Sequence, residues 1–417
     1  MPGSRRRAQR RCFATADTLA VPDGQHNIFE HLVERERIKA ISTKSVTSLL
    51  MAASPAIEPT PSLLYSDSHM SHADEALNPF PGNFFLTTSL PKIAGLLESN
   101  AWLQPGEVVE RAGRAGEGNM NCVVRVTTSH RSFILKQSRP WVEKYPGFSA
   151  PWDRALVEAR FYKTVESISG LKSYLPRLLN FDPAERLLML EDLEDAHDFT
   201  LLYAADSPGL ADSERTQLVD FLLALHRSAR APELRPLFAN AEMRSLNHEH
   251  IFALPLRPGN GLDLDAITPG LGSLAKDLRT DSRYSREVAA LGARYLDPAA
   301  GDCLIHGDYF PGSWLKARGR IYVIDPEFCF FGPPEWDLAI MAAHLHMSGH
   351  SQAQIDDSLD RYGESAAVDR RQIQKFAGVE IMRRLIGVAQ LPVDFSLERK
   401  TKLLCLSKTL VVGEHSA

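Results

Sequence analysis

The stretch CLIHGDYFPGSWLKARGRIYVIDPEFCFFGPPEWDLA, Cys303 to Ala339, places two acidic residues on either side of a segment with the pattern of a short β-hairpin. These residues are Asp308 and Asp325, and Glu327 adds a third carboxylate shortly afterwards. Each acid alone has an ordinary explanation, because aspartate is common in turns and glutamate on protein surfaces. Whether the three carboxylates serve one reaction therefore depends on what the rest of the chain supplies.

The composition is that of a soluble globular protein. The 417 residues exceed what one hydrophobic core usually serves, which favours two domains with possible tails. The net charge of -5 argues against a nucleic-acid partner, and no apolar run is long enough for a membrane span. The five scattered cysteines form no CxxC pair, which is typical of reduced thiols in a cytoplasmic protein. We therefore predict a cytoplasmic protein that binds neither nucleic acid nor membrane.

Periodicity divides the chain into three parts. Residues 1–83 lack sustained periodicity and contain PAIEPTPS and NPFPGN, which predicts a disordered N-terminal extension. Residues 84–193 contain helical patterns in SLPKIAGLLESNAWL and WDRALVEARFYKTV, a hairpin pattern ending in SFILKQ, and two strands in RLLNFDPAERLLMLEDL. Residues 194–417 are mainly helical in pattern, for example in SERTQLVDFLLALHRSA and in the segment from Val368 to Gly387. The predicted fold class is α+β, with a small antiparallel-sheet N-lobe, a hinge at Glu191 to Leu193 and a larger helical C-lobe.

A glycine-rich loop and a lysine precede these acids in the chain. The loop GRAGEGNMN, Gly113 to Asn121, can bring backbone amides close to phosphate oxygens. It lacks the P-loop signature, and no helix opens directly behind it as in a dinucleotide fingerprint. Lys136 lies on the strand that follows and can direct its ammonium group at the same phosphates, and Glu158 can pair with it. The alternatives are an edge-strand lysine that faces water and a surface glutamate.

The order of the acids matches the needs of phosphoryl transfer. Asp308 is predicted in a catalytic loop that orients an attacking hydroxyl group, and LKARGRIYVI is predicted as a hairpin. Asp325 follows the hairpin, where it can hold Mg²⁺ against nucleotide phosphates, and Glu327 offers another hard oxygen ligand. The alternatives are a turn at Asp308, a cap or turn before Pro326 and a surface charge at Glu327. We interpret His306 as a structural residue that anchors backbone.

These motifs resemble the aminoglycoside phosphotransferase and choline kinase superfamily of small-molecule kinases, through HGD, the IDPE block and FGPPEWDLA. Within it the closest resemblance is to the methylthioribose kinases. GEGNMN is similar to their GDGNLN-type loop, LKQ supplies their lysine, and IHGDYFPGS has Ser313 where most aminoglycoside kinases have a metal-binding asparagine. IDPEFCFFGPPEWD follows their IDPEFAFYGP pattern, and EIMRRLIGVAQ, Glu380 to Gln390, resembles their paired-arginine helix. The resemblance covers roughly Leu86 to Leu410.

One segment departs from the family pattern. The family has a tryptophan-bearing loop that reads like WPLT before its DRA segment, whereas this chain reads KYPGFSAPWDRALVEA. Trp152 therefore stands directly beside Asp153. The departure leaves open a loop of different shape, and with it a different sugar or another small alcohol as the acceptor.

The resemblance implies a bilobal protein-kinase-like fold and a cytoplasmic, ATP- and Mg²⁺-dependent enzyme, with a homodimer suggested. The implied reaction transfers the γ-phosphoryl group of ATP to the 1-hydroxyl of 5-methylthioribose in methionine salvage. Asp308 would be catalytic and would address the sugar, with Arg383 or Arg384 at the substrate. Asp325 and Glu327 would bind the metal ion. The residues implied at ATP are Gly116, Gly118, Asn119, Lys136, Glu191, Asp192, Leu193, Asp325, Pro326 and Glu327.

Two other functions fit the same motifs. The first is an aminoglycoside, choline or homoserine-type phosphotransferase with the same ATP site. Acidic residues around the acceptor would favour such a cationic substrate, whereas arginines would disfavour it. The second is a catalytically silent, nucleotide-binding pseudokinase, which is disfavoured because Lys136, Asp308 and Asp325 are all present.

Overall fold

The computed structural model describes residues 84–116, 118–391 and 393–413, so the predicted N-terminal extension, 1–83, lies outside the described residues. The strands of the described chain are β1 (Val109–Arg114), β2 (Cys122–Thr128), β3 (Ser132–Gln137), β4 (Trp141–Val142), β5 (Tyr145–Ser149), β6 (Leu178–Asp182), β7 (Leu187–Glu191), β8 (His197–Asp198), β9 (Cys303–Ile305), β10 (Trp314–Ala317), β11 (Arg320–Val323) and β12 (Phe330–Gly332).

The α-helices of the same residues are α1 (Leu90–Ser99), α2 (Arg154–Glu166), α3 (Asp212–Ser228), α4 (Ala241–His248), α5 (Leu264–Ile267), α6 (Leu271–Thr280), α7 (Ser282–Leu296), α8 (Pro334–Met347), α9 (Gln352–Gly363), α10 (Arg370–Ile386) and α11 (Leu397–Val412). None of these helices combines the length and the apolar composition that a membrane span requires.

Five strands form an antiparallel sheet in the order β1-β2-β3-β7-β6. Alternate residues of β2 point into a small core that α1 covers, because a strand presents every second side chain to the same face. Val124, Val126 and Leu135 pack there with Ile93 and Leu97. The predicted hairpins β2–β3 and β6–β7 are confirmed. The sequence analysis missed β1, whose half-exposed edge position gives no clear alternation of apolar residues.

The helical part surrounds a second, larger core. Helices α8 and α10 lie at its centre and bury residues on all sides, so neither has the apolar stripe of a surface helix. The helices predicted from SERTQLVDFLLALHRSA and from the segment Val368 to Gly387 are confirmed as α3 and α10. A sheet-rich part followed by a helical part confirms the predicted α+β fold class.

Two elements join the sheet to the helical core. Helix α2 buries Ala155, Ala159, Phe161 and Val165 in the larger core, although it lies between strands of the sheet in sequence. The hairpin β10–β11, predicted from LKARGRIYVI, is confirmed and pairs through β10 with β8, which follows β7. The predicted lobe boundary after Leu193 falls between β7 and β8 and stays a prediction.

Candidate active site

A cavity of about 510 Å³ opens between the sheet and the β10–β11 hairpin. Its wall includes predicted site residues, namely Gly116, Gly118, Lys136, Glu191, Asp192, Leu193 and Asp325. Asn119, Pro326 and Glu327 do not line it. Asn119 is exposed on the glycine-rich loop, whereas Pro326 and Glu327 are buried in the turn that follows Asp325. The cavity thus collects the loop, the strand lysine, the hinge segment and one of the predicted metal ligands.

The glycine-rich loop needs glycine at two positions. Gly116 has a φ of +81°, in the left-handed region that favours glycine, and a Cβ on Gly118 would lie 2.4 Å from the Asn121 carbonyl oxygen. The β4–β5 hairpin supports the loop from outside, because the Lys144 N–H donates to the Asn119 carbonyl at 3.0 Å. Because glycine has no side chain, the backbone N–H groups at Gly116 and Gly118 are open to close approach by a phosphate group in the cavity.

Lys136 forms a buried bridge between two carboxylates. Its Nζ lies 2.7 Å from Glu158 on α2 and 2.5 Å from Asp325, which confirms the predicted pairing with Glu158. Burial alone would lower the pKa of Lys136, but Asp325 and Glu158 outweigh it and hold that pKa well above its usual value. Burial raises the pKa of Glu158 to about 7 although Lys136 opposes this change. Lys136 therefore remains a cation at the floor of the cavity.

Arg154 connects the glycine-rich loop to the segment that follows Asp325. Its buried guanidinium donates to the Asn121 side-chain oxygen at 3.0 Å and to the Met120 carbonyl at 2.7 Å. The same group lies 3.0 Å from Glu327 Oε2, and the Asn121 amide donates to Glu327 Oε1 at 2.9 Å. These contacts fix the end of the glycine-rich loop, at Met120 and Asn121, relative to the predicted metal-binding residue Glu327.

Asp325 and Glu327 are the carboxylates that fit a magnesium ion. The Asp325 side chain is 44% exposed at the cavity and contacts Lys136 through Oδ1, which leaves Oδ2 available as a ligand. Glu327 is buried, and its Oε2 forms an ion pair with Arg154 at 3.0 Å without meeting the geometry of a hydrogen bond. Hard carboxylate oxygens suit Mg²⁺, which is often held by one or two carboxylates together with substrate phosphates. The residues present therefore fit the predicted ion.

The HGD loop is anchored by a buried aspartate of the downstream EWDLA segment. Asp337 accepts the backbone N–H groups of His306 at 2.7 Å and Gly307 at 2.9 Å. His306 Nε2 donates to the Ile324 carbonyl at 3.0 Å, while its Nδ1 accepts the Asp308 N–H at 3.3 Å. Burial lowers the pKa of His306, so the ring is neutral and suited to this pair of contacts. The prediction that His306 is structural is confirmed.

The predicted catalytic aspartate meets both predicted arginines. Asp308 Oδ1 lies 3.2 Å from Arg383 Nη2 and 3.2 Å from Arg384 Nη2. The Asp308 side chain is 20% exposed, whereas both guanidinium groups are nearly buried. The Phe310 ring covers Arg384, whose Cζ lies 4.4 Å from the ring centroid. An acceptor that reaches Asp308 would therefore meet two cations beside it.

The sequence analysis missed several residues of these clusters. Asn121 holds Glu327, although the glycine-loop motif drew attention to Asn119 two positions earlier. Arg154 and Glu380 are buried ion-pair partners, but each occupies a helix position where charged residues are ordinary. Asp337 lies within a quoted motif without having been assigned a role. Only their contacts in the three-dimensional structure distinguish these residues from ordinary polar and charged residues on the surface.

The model of the phosphotransferase enzyme family matches residues 112–376, which is more than half of the chain. The chain belongs to the phosphotransferase enzyme family. The match begins in β1 and ends in α10, so it includes the glycine-rich loop, Lys136, Asp308 and Asp325. The resemblance to the aminoglycoside phosphotransferase and choline kinase superfamily is thereby confirmed.

Curated relatives of this family member carry the name methylthioribose kinase. The protein of Exiguobacterium sibiricum is 29% identical over 247 residues, covering 57% of this chain and 61% of the relative. The protein of Erwinia tasmaniensis is 31% identical over 257 residues, covering 58% of this chain and 61% of the relative. The matched part of the chain thus spans about three fifths of the length of these relatives.

The comparison with solved structures matches this family member with a choline kinase at low sequence identity. The choline kinase LicA from Streptococcus pneumoniae has a TM-score of 0.46 and is 17% identical, with 82% of this chain and 100% of that chain covered.

Proposed function

We propose that this chain transfers the γ-phosphoryl group of ATP to the 1-hydroxyl of 5-methylthioribose. The observation that carries the proposal is the convergence of Arg383 and Arg384 on Asp308, beside a cavity that holds Lys136 and Asp325. The names of the curated relatives support the same substrate. The predicted cytoplasmic location, the homodimer and the place in methionine salvage remain part of the proposal.

The cavity offers a separate place for each part of ATP. Glu191 to Leu193 would hold the adenine through backbone groups, because this segment lines the cavity together with the glycine-rich loop. The amides near Gly116 and Gly118 and the ammonium of Lys136 would hold the phosphates. Asn119 lies at the exposed tip of the loop, so its predicted phosphate contact would require the loop to fold onto the nucleotide.

Positioning and charge would supply most of the rate, because phosphoryl transfer needs little covalent work from the protein. Asp325 and Glu327 would hold Mg²⁺, which would neutralise charge on the phosphates. Asp308 would accept a hydrogen bond from the attacking hydroxyl group and orient it towards the γ-phosphorus. Lys136 would stabilise the negative charge of the phosphates.

The arginines restrict the class of acceptor. Two nearly buried guanidinium groups lie 3.2 Å from the Asp308 carboxylate and compensate its charge, which weakens its attraction for a cationic amine. A neutral sugar does not depend on that attraction, and its hydroxyl groups can accept hydrogen bonds from arginine N–H groups. This favours a polyol over the aminoglycosides and choline of the alternative function.

An ATP-consumption assay on a panel of methylthioribose, choline, homoserine and an aminoglycoside tests the proposal. Turnover with methylthioribose, confirmed by detection of the 1-phosphate, would support it. Turnover confined to another member of the panel would reject the acceptor and retain the kinase. ATP binding without turnover on every acceptor would favour the pseudokinase.

A further inference from the structure

Three buried residues lie behind the arginine pair. Glu380 on α10, His344 on α8 and Tyr203 have exposures of 2% or less and form one continuous chain of hydrogen bonds. The chain ends at the guanidinium groups of Arg383 and Arg384, which contact Asp308 on their other side. None of the five residues in this hydrogen-bonded series lines the cavity proposed for ATP. Their polar groups are buried instead next to Asp308, where the acceptor is proposed to bind.

Glu380 divides its two carboxylate oxygens between the arginines. Oε2 accepts from Arg383 Nε at 2.5 Å, and Oε1 accepts from Arg384 Nε at 2.8 Å. Because a guanidinium is planar, fixing its Nε–H also fixes the direction of its Nη groups. In both arginines it is Nη2 that lies 3.2 Å from Asp308 Oδ1. One carboxylate therefore sets the orientation of both cations towards a second carboxylate.

His344 holds Glu380 from the opposite side. Burial would raise the pKa of Glu380, but Arg383 and Arg384 hold it well below its usual range, so Glu380 can only accept hydrogen bonds. The contact of 3.1 Å therefore requires a proton on His344 Nε2. Burial lowers the pKa of His344 to about 4, so the ring is neutral and its Nδ1 accepts from the Tyr203 hydroxyl at 2.5 Å. Glu380 thus selects the tautomer of His344, and the Tyr203 hydroxyl donates to the unprotonated nitrogen.

We infer that Glu380, supported by His344 and Tyr203, is a positioning residue that holds the arginine pair on Asp308 and thereby sets where the acceptor hydroxyl group lies. This role deepens the proposed function, because it rests on Asp308 as the group that addresses the acceptor. Without Glu380 the two guanidinium groups would repel each other with one carboxylate between them. Asp308 would then lose the fixed position that in-line attack requires.

The test replaces Glu380 by glutamine and measures the acceptor and ATP separately. Glutamine keeps one carbonyl oxygen as an acceptor, but its NH₂ group cannot accept from an arginine Nε–H, so at least one guanidinium loses its anchor. We expect kcat/KM for the acceptor to fall about 100-fold, as for a misplaced reactive group, and the Kd of ATP to stay unchanged. Circular dichroism verifies folding, and a crystal structure of the variant measures the distances from Asp308 to both arginines.

Variants of His344 supply a second readout if Glu380→Gln fails to fold. In His344→Gln the amide can still donate to Glu380, whereas His344→Leu removes that donor. We expect His344→Leu to lose about tenfold in acceptor kcat/KM, the worth of one hydrogen bond, and His344→Gln to restore most of it. A purely structural role would lower the thermal stability of both variants without separating their acceptor kinetics. Equal acceptor kinetics in the two variants would overturn the inference.

Glu335→Gln is the matched control. Glu335 is a buried carboxylate on the same helix as His344, and its side chain accepts the Asp369 N–H at 3.0 Å. We expect its kinetic constants to equal those of the wild type.

The comparison separates the two proposals. If the wild type phosphorylates another acceptor, the methylthioribose proposal fails, and the variants are compared on that acceptor. If no acceptor is found, the crystal structure decides. Guanidinium groups that remain on Asp308 in Glu380→Gln would refute the positioning role, and displaced groups would support it.

Discussion

Replacing Arg154 by methionine should destabilise the protein more than any exposed arginine replacement. Arg154 is 1% exposed and donates to the Met120 and Arg139 carbonyls at 2.7 Å each and to Pro151 at 2.8 Å. Methionine would fill much of the volume but would leave the buried carboxylate of Glu327 without its cation. Breaking a buried ion pair from one side costs about 3–5 kcal/mol. We expect the free energy of unfolding to fall by that amount.

The same structure predicts that a second substitution recovers part of the loss. In the double variant Arg154→Met, Glu327→Gln, the stranded charge is absent, because a neutral amide replaces the carboxylate. The double variant should therefore be more stable than the sum of the single effects implies, by about 1–3 kcal/mol, as for residues in direct contact. Urea unfolding of the ATP-free protein at pH 7, followed by circular dichroism and tryptophan fluorescence, measures the free energy of unfolding. The double-mutant cycle compares the wild type, the two single variants and the double variant.

Arg186→Met provides the matched control for this cycle. Arg186 contacts Asp153 at 2.8 Å, but the Asp153 side chain is 62% exposed, so water replaces the lost partner. An exposed pair of this kind contributes about 0–1 kcal/mol. If the effects of Arg154→Met and Glu327→Gln simply add, within about 0.5 kcal/mol, the two residues are not coupled. The account of the cluster that joins the glycine-rich loop to the segment after Asp325 would then be wrong.

Three further outcomes are expected. Asp308→Asn should abolish turnover yet keep ATP binding, because Asp308 does not line the cavity proposed for ATP; normal turnover would show that the catalytic loop is misplaced. Lys136→Met should weaken ATP binding at least about tenfold, measured by calorimetry, and an unchanged Kd would remove Lys136 from the phosphate site. Burial would raise the pKa of Glu107, but hydrogen bonds from Arg131 and Thr128 help to lower it to about 2 from its usual 4.5. Because this folded-state pKa is depressed, the stabilisation is complete above about pH 4.5 and is lost as the pH falls towards 2. Glu107→Gln should therefore destabilise the protein at pH 7 in urea unfolding, by a margin that shrinks at pH 3; a margin independent of pH would contradict this.

The elements that the sequence predicted well are those with a strong local pattern. The β2–β3 and β6–β7 hairpins combine apolar strands with turn residues, and α3 repeats apolar residues at helical spacing. Strand β1 was missed because half of its side chains are exposed at the sheet edge. Local pattern also sufficed to place Asp308 and Asp325 on opposite sides of a hairpin.

The contacts that orient the acids were beyond sequence reasoning. Asn240 is in the left-handed region, with a φ of 43°, and its amide donates to the carbonyls of Glu327 and Cys329 at 3.0 Å each. This side chain holds the segment after Asp325 from the position just before α4, more than eighty residues earlier in the chain. Such a contact depends on packing between distant segments, and no periodicity in either segment reports it. Resemblance to the family indicated the arginine pair, but not the carboxylate that orients it.

The two acids on either side of the hairpin are fixed to each other by a neutral ring. His306 binds the Asp308 N–H with one nitrogen and the Ile324 carbonyl, next to Asp325, with the other. Asp325 has a φ of 61°, a conformation that costs free energy for a non-glycine residue and persists only where surrounding contacts hold it. If His306 were protonated, its Nδ1 would carry a proton and could no longer accept the Asp308 N–H. The chemistry proposed for these carboxylates therefore depends on keeping His306 uncharged, which its complete burial achieves.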